Sequence, residues 1–341
     1  SARMGRLGLN GEGFCALGRG PLQSVGRNFA QIETGDLLNG VIDQFPVVMD
    51  SVTEQLTPEE VDGIRRYVER GGVFIATYNT ARHLPERADA WPLAASLGIK
   101  VNPKWVSEKD FSTWADVKIK FGEHQDLMPS LRGKEIAGAG VFTDYRNIEY
   151  SGGMSYAPDG GKAGANFRPV ATWSEDGSVA VAEVKLGRGK IILLGTVFFA
   201  RMRDVAGIWY NADDRRILLD EFLAGAGVPR DSWADAPEMC AELWRSKSGV
   251  YDLYRVARMT NKHGPGDTTT PNVTKNANVQ VGLRRPTAVS ELVEVSTLGH
   301  PKVKVEWKDG KLTLPATDYG LMQTRVFLAP RAEIARSGLD W

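Results

Sequence analysis

The period of the hydrophobic pattern changes several times along this chain, most legibly between Phe45 and His83. That stretch reads FPVVMD, SVTEQL, TPEEVDGIRRYVERGG, VFIATYNTARH. Pro46–Asp50 is a short apolar run ending in a carboxylate, the pattern of a buried parallel strand. Thr57-Pro58-Glu59-Glu60 predicts a helix start: a capping hydroxyl, proline at the first helical position, and acids facing the positive end of the helix dipole. Val61, Ile64 and Val68 then recur on one helical face, with Arg65, Arg66 and Glu69 on the other. Gly71-Gly72 ends the helix, because glycine adopts left-handed angles without a Cβ clash. Val73–Thr77 is a second apolar run. Strand, helix and strand in this length predict a βαβ unit with a right-handed crossover.

The rest of the first two-thirds is less regular. Residues 33–42 predict a short helix, and residues 91–101 a short helix, Gly98 and a strand. Residues 102–116, rich in tryptophan and polar residues, read as a surface excursion. Residues 116–121 alternate with period two, as a half-exposed strand does. Residues 123–136 predict a turn and a short helix. The many glycines and tyrosines of 138–168 predict a long mobile loop. Val170–Trp173, Val179–Val184 and Lys190–Gly195 predict strands joined by turns at Glu175-Asp176-Gly177 and Gly187-Arg188-Gly189. Asp213–Gly225 predicts an amphipathic helix.

Beyond residue 230 the pattern changes again. Residues 230–248 read as a linker. Short β-rich runs separated by turn residues follow, with Lys308-Asp309-Gly310-Lys311 a strong hairpin signal, and together they predict a small antiparallel sandwich. The polar stretch 262–278 predicts an exposed loop within it. The expected organisation is an irregular glycine-rich opening segment at 1–35, an α/β domain at 36–229, a linker at 230–248, a β-sandwich domain at 249–330 and a tail at 331–341.

Composition narrows the function classes. The 341 residues carry 42 basic and 42 acidic side chains, a balance that argues against a dedicated nucleic-acid binder. No apolar run approaches the ~20 residues of a membrane span, so no membrane partner is expected. The first residues, Ser1 to Arg6, are polar with no apolar segment behind them, so no signal peptide is expected in them. The chain does not begin with Met, which leaves a soluble protein, cytoplasmic or secreted, as the expectation. Cys15 and Cys240 allow one disulfide at most, and two unpaired thiols are the plainer alternative. The four histidines, His83, His124, His263 and His300, stand singly, so no metal site is expected. Gly5, Gly8, Gly11 and Gly13 resemble a phosphate loop only superficially, since the Gly-Lys-Ser/Thr ending is missing. No cofactor is expected.

Candidate chemistry gathers where an open parallel sheet binds ligands, beyond the carboxyl ends of its strands. Those ends carry Asp50-Ser51 and Tyr78-Asn79-Thr80-Ala81-Arg82-His83. Asp50 or His83 is the weak candidate for an acid or base, with Asn79 and Arg82 as ligand-binding groups and Arg82 holding an anion. The alternative is that Asp50 and Asn79 cap neighbouring backbone groups while Arg82 pairs with an acid. Asp213-Asp214 and Glu59-Glu60 are adjacent acids, but both pairs sit at helix starts, where the dipole explains them. Of nine tryptophans, Trp105 and Trp209, the latter beside Tyr210, are placed in loops. They are candidates for stacking on a sugar, with subunit contact or packing as the alternative.

The order strand, TPEE helix, YVERGG and VFIATYNTA strand resembles the amidotransferase-like middle domain of family-42-type beta-galactosidases, often called their trimerisation domain. The matching residues are Tyr67, Val68, Gly71 and Gly72. Gly187, Gly189 and Lys190 resemble the Gly-x-Gly-Lys turn of that domain's closing hairpin, and KLTLPATDYGLMQTRVFLAP resembles the small β domain that follows. The resemblance implies a flavodoxin-like, class I glutamine-amidotransferase-like open sheet followed by an antiparallel β-sandwich. Two departures limit what else it implies. Where true amidotransferases carry a catalytic cysteine, this chain has Thr77-Tyr78-Asn79. The family's catalytic barrel, of about 250 residues, has no counterpart before residue 36.

The resulting expectation is an accessory part of a carbohydrate-active glycoside hydrolase, concerned with assembly or with flanking a sugar site, and without catalysis of its own. Its expected partners are an oligo- or polysaccharide, further copies of itself, or a catalytic barrel. The alternatives are a free-standing carbohydrate-binding or scaffold protein, and a hydrolase using the Asp50/His83 strand-end cluster.

Overall fold

The computed structural model describes residues 32–50, 53–77, 80–105, 118–137, 152–159, 166–195, 203–204, 212–228, 232–234, 239–245, 251–258, 273–277, 279–283, 290–320 and 323–330. They form two compact units, the first holding the described residues to 204 together with 221–228, the second those from 232 onward together with 212–220.

The first unit opens with two single-turn 3-10 helices, Thr34–Leu37 and Val41–Gln44, in place of the one helix expected. Gly40, in the left-handed region at φ 81°, separates them. Strand β1 (Val47–Met49), helix α1 (Pro58–Glu69) and strand β2 (Val73–Ala76) make the expected strand-helix-strand unit, with β1 and β2 parallel and adjacent. Helix α1 begins in a full capping box. Thr57 Oγ1 accepts the Glu60 N–H at 3.3 Å, and Glu60 Oε2 accepts the Thr57 N–H at 2.7 Å. The helix buries Val61, Ile64, Tyr67 and Val68.

Helix α2 (Pro92–Ser96) leads into β3 (Ile99–Trp105). Then come β4 (Lys118–Phe121), a 3-10 turn at Pro129–Leu131, and β5 (Glu135–Ala137). Next are β6 (Gly152–Pro158), β7 (Phe167–Trp173), β8 (Val179–Leu186), β9 (Gly189–Leu194) and β10 (Arg203–Asp204). Helix α3 (Ala212–Ala226) follows.

These ten strands make one sheet in the order β1-β2-β9-β8-β7-β4-β5-β10, with β3 paired to β6 and β6 to β8. Only β1, β2 and β9 are parallel neighbours, and every other described pairing in the sheet is antiparallel. The change of direction has a local cause. Leu186 and Gly189 face each other across a two-residue turn, which returns the chain antiparallel to itself. The architecture is therefore an α/β layer with a mixed, mainly antiparallel sheet rather than the open parallel sheet expected. Strand β6 corrects the reading of 138–168 as loop throughout: Met154, Ser155 and Tyr156 are buried in it. The glycine content of the segment hid a strand whose stability comes from its neighbours.

Glycines join helix α1 to the β8–β9 turn. A Cβ on Gly189 would lie 2.1 Å from the Gly72 carbonyl oxygen and 2.4 Å from that of Val68. One on Gly187 would lie 2.6 Å from the Glu69 carbonyl oxygen, and one on Gly72 would enter the Tyr67 ring. The two glycine motifs of the sequence thus meet as one packed joint. The Tyr67 hydroxyl completes it, donating within reach of the Phe45 and Val73 carbonyls at 2.9 and 3.3 Å. Lys190, next in the motif, reaches Glu183 at 2.6 Å and the Gly225 carbonyl at the end of α3 at 3.2 Å, where a cation suits the helix dipole.

The described residues of the second unit from 232 onward contain strands and no helix. The unit contains β11 (Ser232–Ala234), β12 (Met239–Arg245), β13 (Tyr251–Arg258), β14 (Val273–Ala277) and β15 (Gln280–Leu283). It continues with β16 (Glu291–Glu294), β17 (Lys302–Lys304), β18 (Glu306–Lys308), β19 (Lys311–Thr313), β20 (Thr317–Gly320) and β21 (Thr324–Pro330). Sheets β11-β15-β19-β18 and β12-β13-β21-β16-β17 enclose a core that includes Leu243, Tyr254, Val281, Leu312 and Phe327, and β14 pairs with β20. The predicted sandwich is present, and so is its hairpin. Lys308 faces Lys311, and Asp309 and Gly310 both have positive φ (51° and 76°), as a type I′ turn requires.

Two details differ from expectation. The supposed linker contains β11 and β12, whose inward Met239, Ala241 and Leu243 alternate as a strand demands. The supposed loop 262–278 contains β14. Among the described residues no helix is long and apolar enough to cross a membrane.

Candidate functional site

The carboxyl ends of β1 and β2 bring Asp50, Thr77, Thr80, Arg82 and His83 together, as the topology predicts. Asp50 continues the ladder, its N–H bonded to the Ile75 carbonyl at 2.9 Å. Its carboxylate accepts the Thr53 N–H at 3.1 and 3.0 Å on its two oxygens, and the Thr80 hydroxyl at 2.5 Å. Thr80 Oγ1 in turn accepts the Thr77 N–H at 2.8 Å. These bonds tie the two post-strand turns to one another.

Beyond the turns the chains pair again. The Ala81 N–H bonds the Thr53 carbonyl at 2.9 Å, the His83 N–H bonds that of Glu54 at 2.8 Å, and the Leu56 N–H returns to His83 at 3.3 Å. Gln55 and His83 form a parallel bridge. Segment 80–91 then folds back on itself. Arg82 Nε donates to the Asp89 carboxylate, and its guanidinium lies 5.8 Å from the centre of the Trp91 ring. The Trp91 N–H bonds the Arg82 carbonyl at 3.0 Å. Ala81, Asp89 and Trp91 adopt positive φ of 52°, 51° and 47°, a left-handed conformation that costs non-glycine residues and is held here by the surrounding bonds.

His83 is fixed by the same fold-back. Its Nδ1 accepts the Asp89 N–H at 2.9 Å, so the neutral ring carries its proton on Nε2. Burial lowers its pKa below the ordinary histidine value, the Arg82 charge lowers it further, and Asp89 opposes them. Arg82 is 2 % exposed and His83 4 % exposed. The cluster is thus a bonded polar knot: a half-buried acid engaged by two donors, a buried cation against an acid and an indole, and a neutral imidazole bonded to backbone. Such an arrangement fixes loops. Proton transfer to a substrate would further require a group open to that substrate.

The other sequence candidates are placed as follows. Asn79, Trp209 and Tyr210 lie outside the described residues. Trp105 ends β3 with its backbone opposite Gly152 of β6. Cys240 is buried in β12, and Cys15 lies outside the described residues. Among the described residues no group of three His, Cys, Asp or Glu side chains is placed to hold a metal ion. The residues that sequence reasoning missed are Thr80, Asp89 and Trp91. Asp89 and Trp91 act through a loop reversal that no periodicity announces, whereas Thr77 and Thr80 at a spacing of three are a visible turn signal.

Comparison with known proteins gives a likeness of fold. No protein-family model matches the chain, and no curated protein matches it by sequence. Solved structures do. A beta-galactosidase from Bacillus circulans sp. alkalophilus superposes with TM-score 0.55 at 12% identity, over 90% of this chain and 36% of its own. A cold-adapted beta-galactosidase from Rahnella sp. R3 gives 0.52 at 14%, over 91% and 35%. Alpha-L-fucosidase isoenzyme 2 from Paenibacillus thiaminolyticus gives 0.50 at 11%, over 94% and 46%. This chain spans little more than a third of the galactosidases it matches.

Proposed function

We propose that this chain is an accessory, non-catalytic part of a carbohydrate-active glycoside hydrolase, corresponding to the amidotransferase-like trimerisation domain and C-terminal β domain of a family-42-type beta-galactosidase. The observation that carries the reading is the asymmetry of the likeness: nine-tenths of this chain superposes on about a third of a beta-galactosidase. The α/β layer followed by a β-sandwich supports it, as does the packed joint of the two glycine motifs on which the family resemblance rests. The flavodoxin-like description of the first unit belongs to this proposal. In it the strand-end knot of Asp50, Arg82 and His83 is a scaffold, while Asn79, Trp105, Trp209 and Tyr210 are the residues offered to a sugar or a subunit.

The proposed partners are further copies of the chain and a catalytic (β/α)8 barrel whose sugar site it flanks. The test is the coding region around Ser1 together with copurification from the source cell. The reading expects a barrel encoded in the same frame, or a separate barrel protein that copurifies and hydrolyses β-galactosides. Finding neither would remove it.

A further inference from the structure

Asn39 and Gly40 stand together at the junction of the two opening 3-10 helices, and both are exposed. Two bonds hold the Asn39 side chain. Its Nδ2 donates to Asp36 Oδ1 at 3.2 Å, and its Oδ1 accepts the Val41 N–H at 3.1 Å. Only this orientation of the amide satisfies both neighbours, since a carboxylate accepts and an N–H donates. Asp36 is itself fixed, its other oxygen accepting the Glu33 N–H at 2.9 Å. Among the described residues no acceptor takes the Gly40 N–H. Space beside Gly40 is open as well: the nearest atom to a Cβ built there, Asp43 Oδ2, is 4.0 Å away.

These are the parts of an intramolecular acyl transfer. The Gly40 nitrogen is the chain neighbour of Asn39, so the covalent chain itself holds nucleophile and side-chain carbonyl together. Glycine puts no side chain in the way, and the nitrogen is free of a competing hydrogen bond. The Val41 N–H sits on Asn39 Oδ1, the oxygen that becomes negative as the nitrogen attacks Cγ, and so serves as an oxyanion donor.

We infer that Asn39 is a site of spontaneous deamidation, converting through a succinimide with Gly40 to aspartate and isoaspartate, and that this modification loosens the first unit. The Gly40 nitrogen gives its proton to water and bonds to Asn39 Cγ. The Cγ–Nδ2 bond breaks, and the amide nitrogen takes a proton from water and leaves as ammonia. Water then opens the ring. Attack at Cγ gives aspartate. Attack at the backbone carbonyl gives isoaspartate, whose main chain runs through Cγ and is longer by a methylene. The net change consumes one water and releases one ammonia, with no oxidant or reductant.

Both products undo the junction. Aspartate loses the Nδ2–H donor and sets a second carboxylate against that of Asp36. Isoaspartate lengthens the chain between Leu37 and Ile42, which are both buried in the core. Leu37 has little room to adjust, because its carbonyl oxygen lies 2.4 Å from the position of a Cβ on Gly63 of α1.

The test is incubation of the full chain at pH 8, natively and in parallel in urea, followed by peptide mapping with fragmentation that separates isoaspartate from aspartate. The unmodified Asn39 peptide is expected to be lost progressively in the native sample. The isoaspartate fraction should unfold at lower urea, its folded-to-unfolded ratio reduced about tenfold. Asn39→Gln should keep its fresh midpoint after the same incubation. If that variant folds poorly by circular dichroism, Asn39→Ser, which has no amide and keeps an acceptor for the Val41 N–H, is read in its place. Asn39 intact in the native sample when the urea sample has converted overturns the inference. So does conversion confined to Asn10, the other asparagine followed by glycine. Conversion at Asn39 with an unmoved midpoint, or with an equal fall in the variant, overturns the claim that it loosens the unit.

Discussion

Gly189 and Gly72 show how a residue choice is forced by its neighbours. A methyl group on Gly189 has nowhere to go, because two carbonyl oxygens of the α1 terminus occupy its position. Gly189→Ala should therefore destabilise the first unit by about 1–3 kcal/mol or more through overpacking, read as a lower urea midpoint with an unchanged slope. Gly177, with open space around its Cβ position, is the contrast, its cost arising only from its left-handed φ. His83 makes a second prediction at this scale. Its native pKa lies below the 6.5 of an ordinary histidine, so the unfolded chain binds the proton more readily. The stabilisation is full above pH ~6.5 and is lost as pH falls below it toward the native pKa. Thermal melts at pH 8 and pH 5.5 should separate more for wild type than for His83→Gln, which keeps an acceptor without titrating. Equal separations would contradict it. In the sequence, Asp50, Arg82 and His83 were recognisable as strand-end residues. That Arg82 and His83 would be turned inward was not, because this depends on Asp89 and Trp91 folding back from a loop without periodicity.

Elements were legible where local chemistry alone defines them. The TPEE start of α1, its Gly71-Gly72 end and the Asp309-Gly310 hairpin all appear where the residues place them. Removing the cap hydroxyl with Thr57→Ala should cost about 1 kcal/mol, measured by chemical denaturation. Strands β6, β12 and β14 were missed because glycine, linker-like polarity and threonine-rich sequence mask segments that are strands only by virtue of their partners. The β-sandwich offers a further test. Glu294, on β16, accepts the Ser296 and Thr297 hydroxyls at 3.1 and 3.0 Å and both Arg325 Nε and Nη2 at 2.9 and 2.7 Å. Arg325 lies 4.8 Å from the Phe327 ring centre. The Arg325 hydrogen bonds, chiefly, hold the Glu294 carboxyl below its usual range, against the opposing effect of burial. Glu294→Gln leaves a largely buried cation without its counter-charge and should cost about 3 kcal/mol or more. The wild-type advantage is present above pH ~4.5 and lost as pH falls through the lowered native value. A variant that melts with wild type at pH 7 would contradict this.

For the whole molecule, the βαβ unit was correctly read from a local pattern, yet the sheet around it was not. Pairings such as β3 with β6, or Lys120 with Thr172, join segments about fifty residues apart, and hydrophobic period alone carries no record of them. The accessory reading proposes that this chain houses no reaction centre of its own; His83 is buried and bonded to the Asp89 backbone, and the half-buried Asp50 is engaged by Thr53 and Thr80. The most direct measurement is turnover of 4-nitrophenyl β-D-galactopyranoside by the purified chain, with Asp50→Asn and His83→Gln variants in parallel. The account predicts the same release as buffer alone for all three. Turnover by the wild-type chain that either substitution abolishes would contradict it.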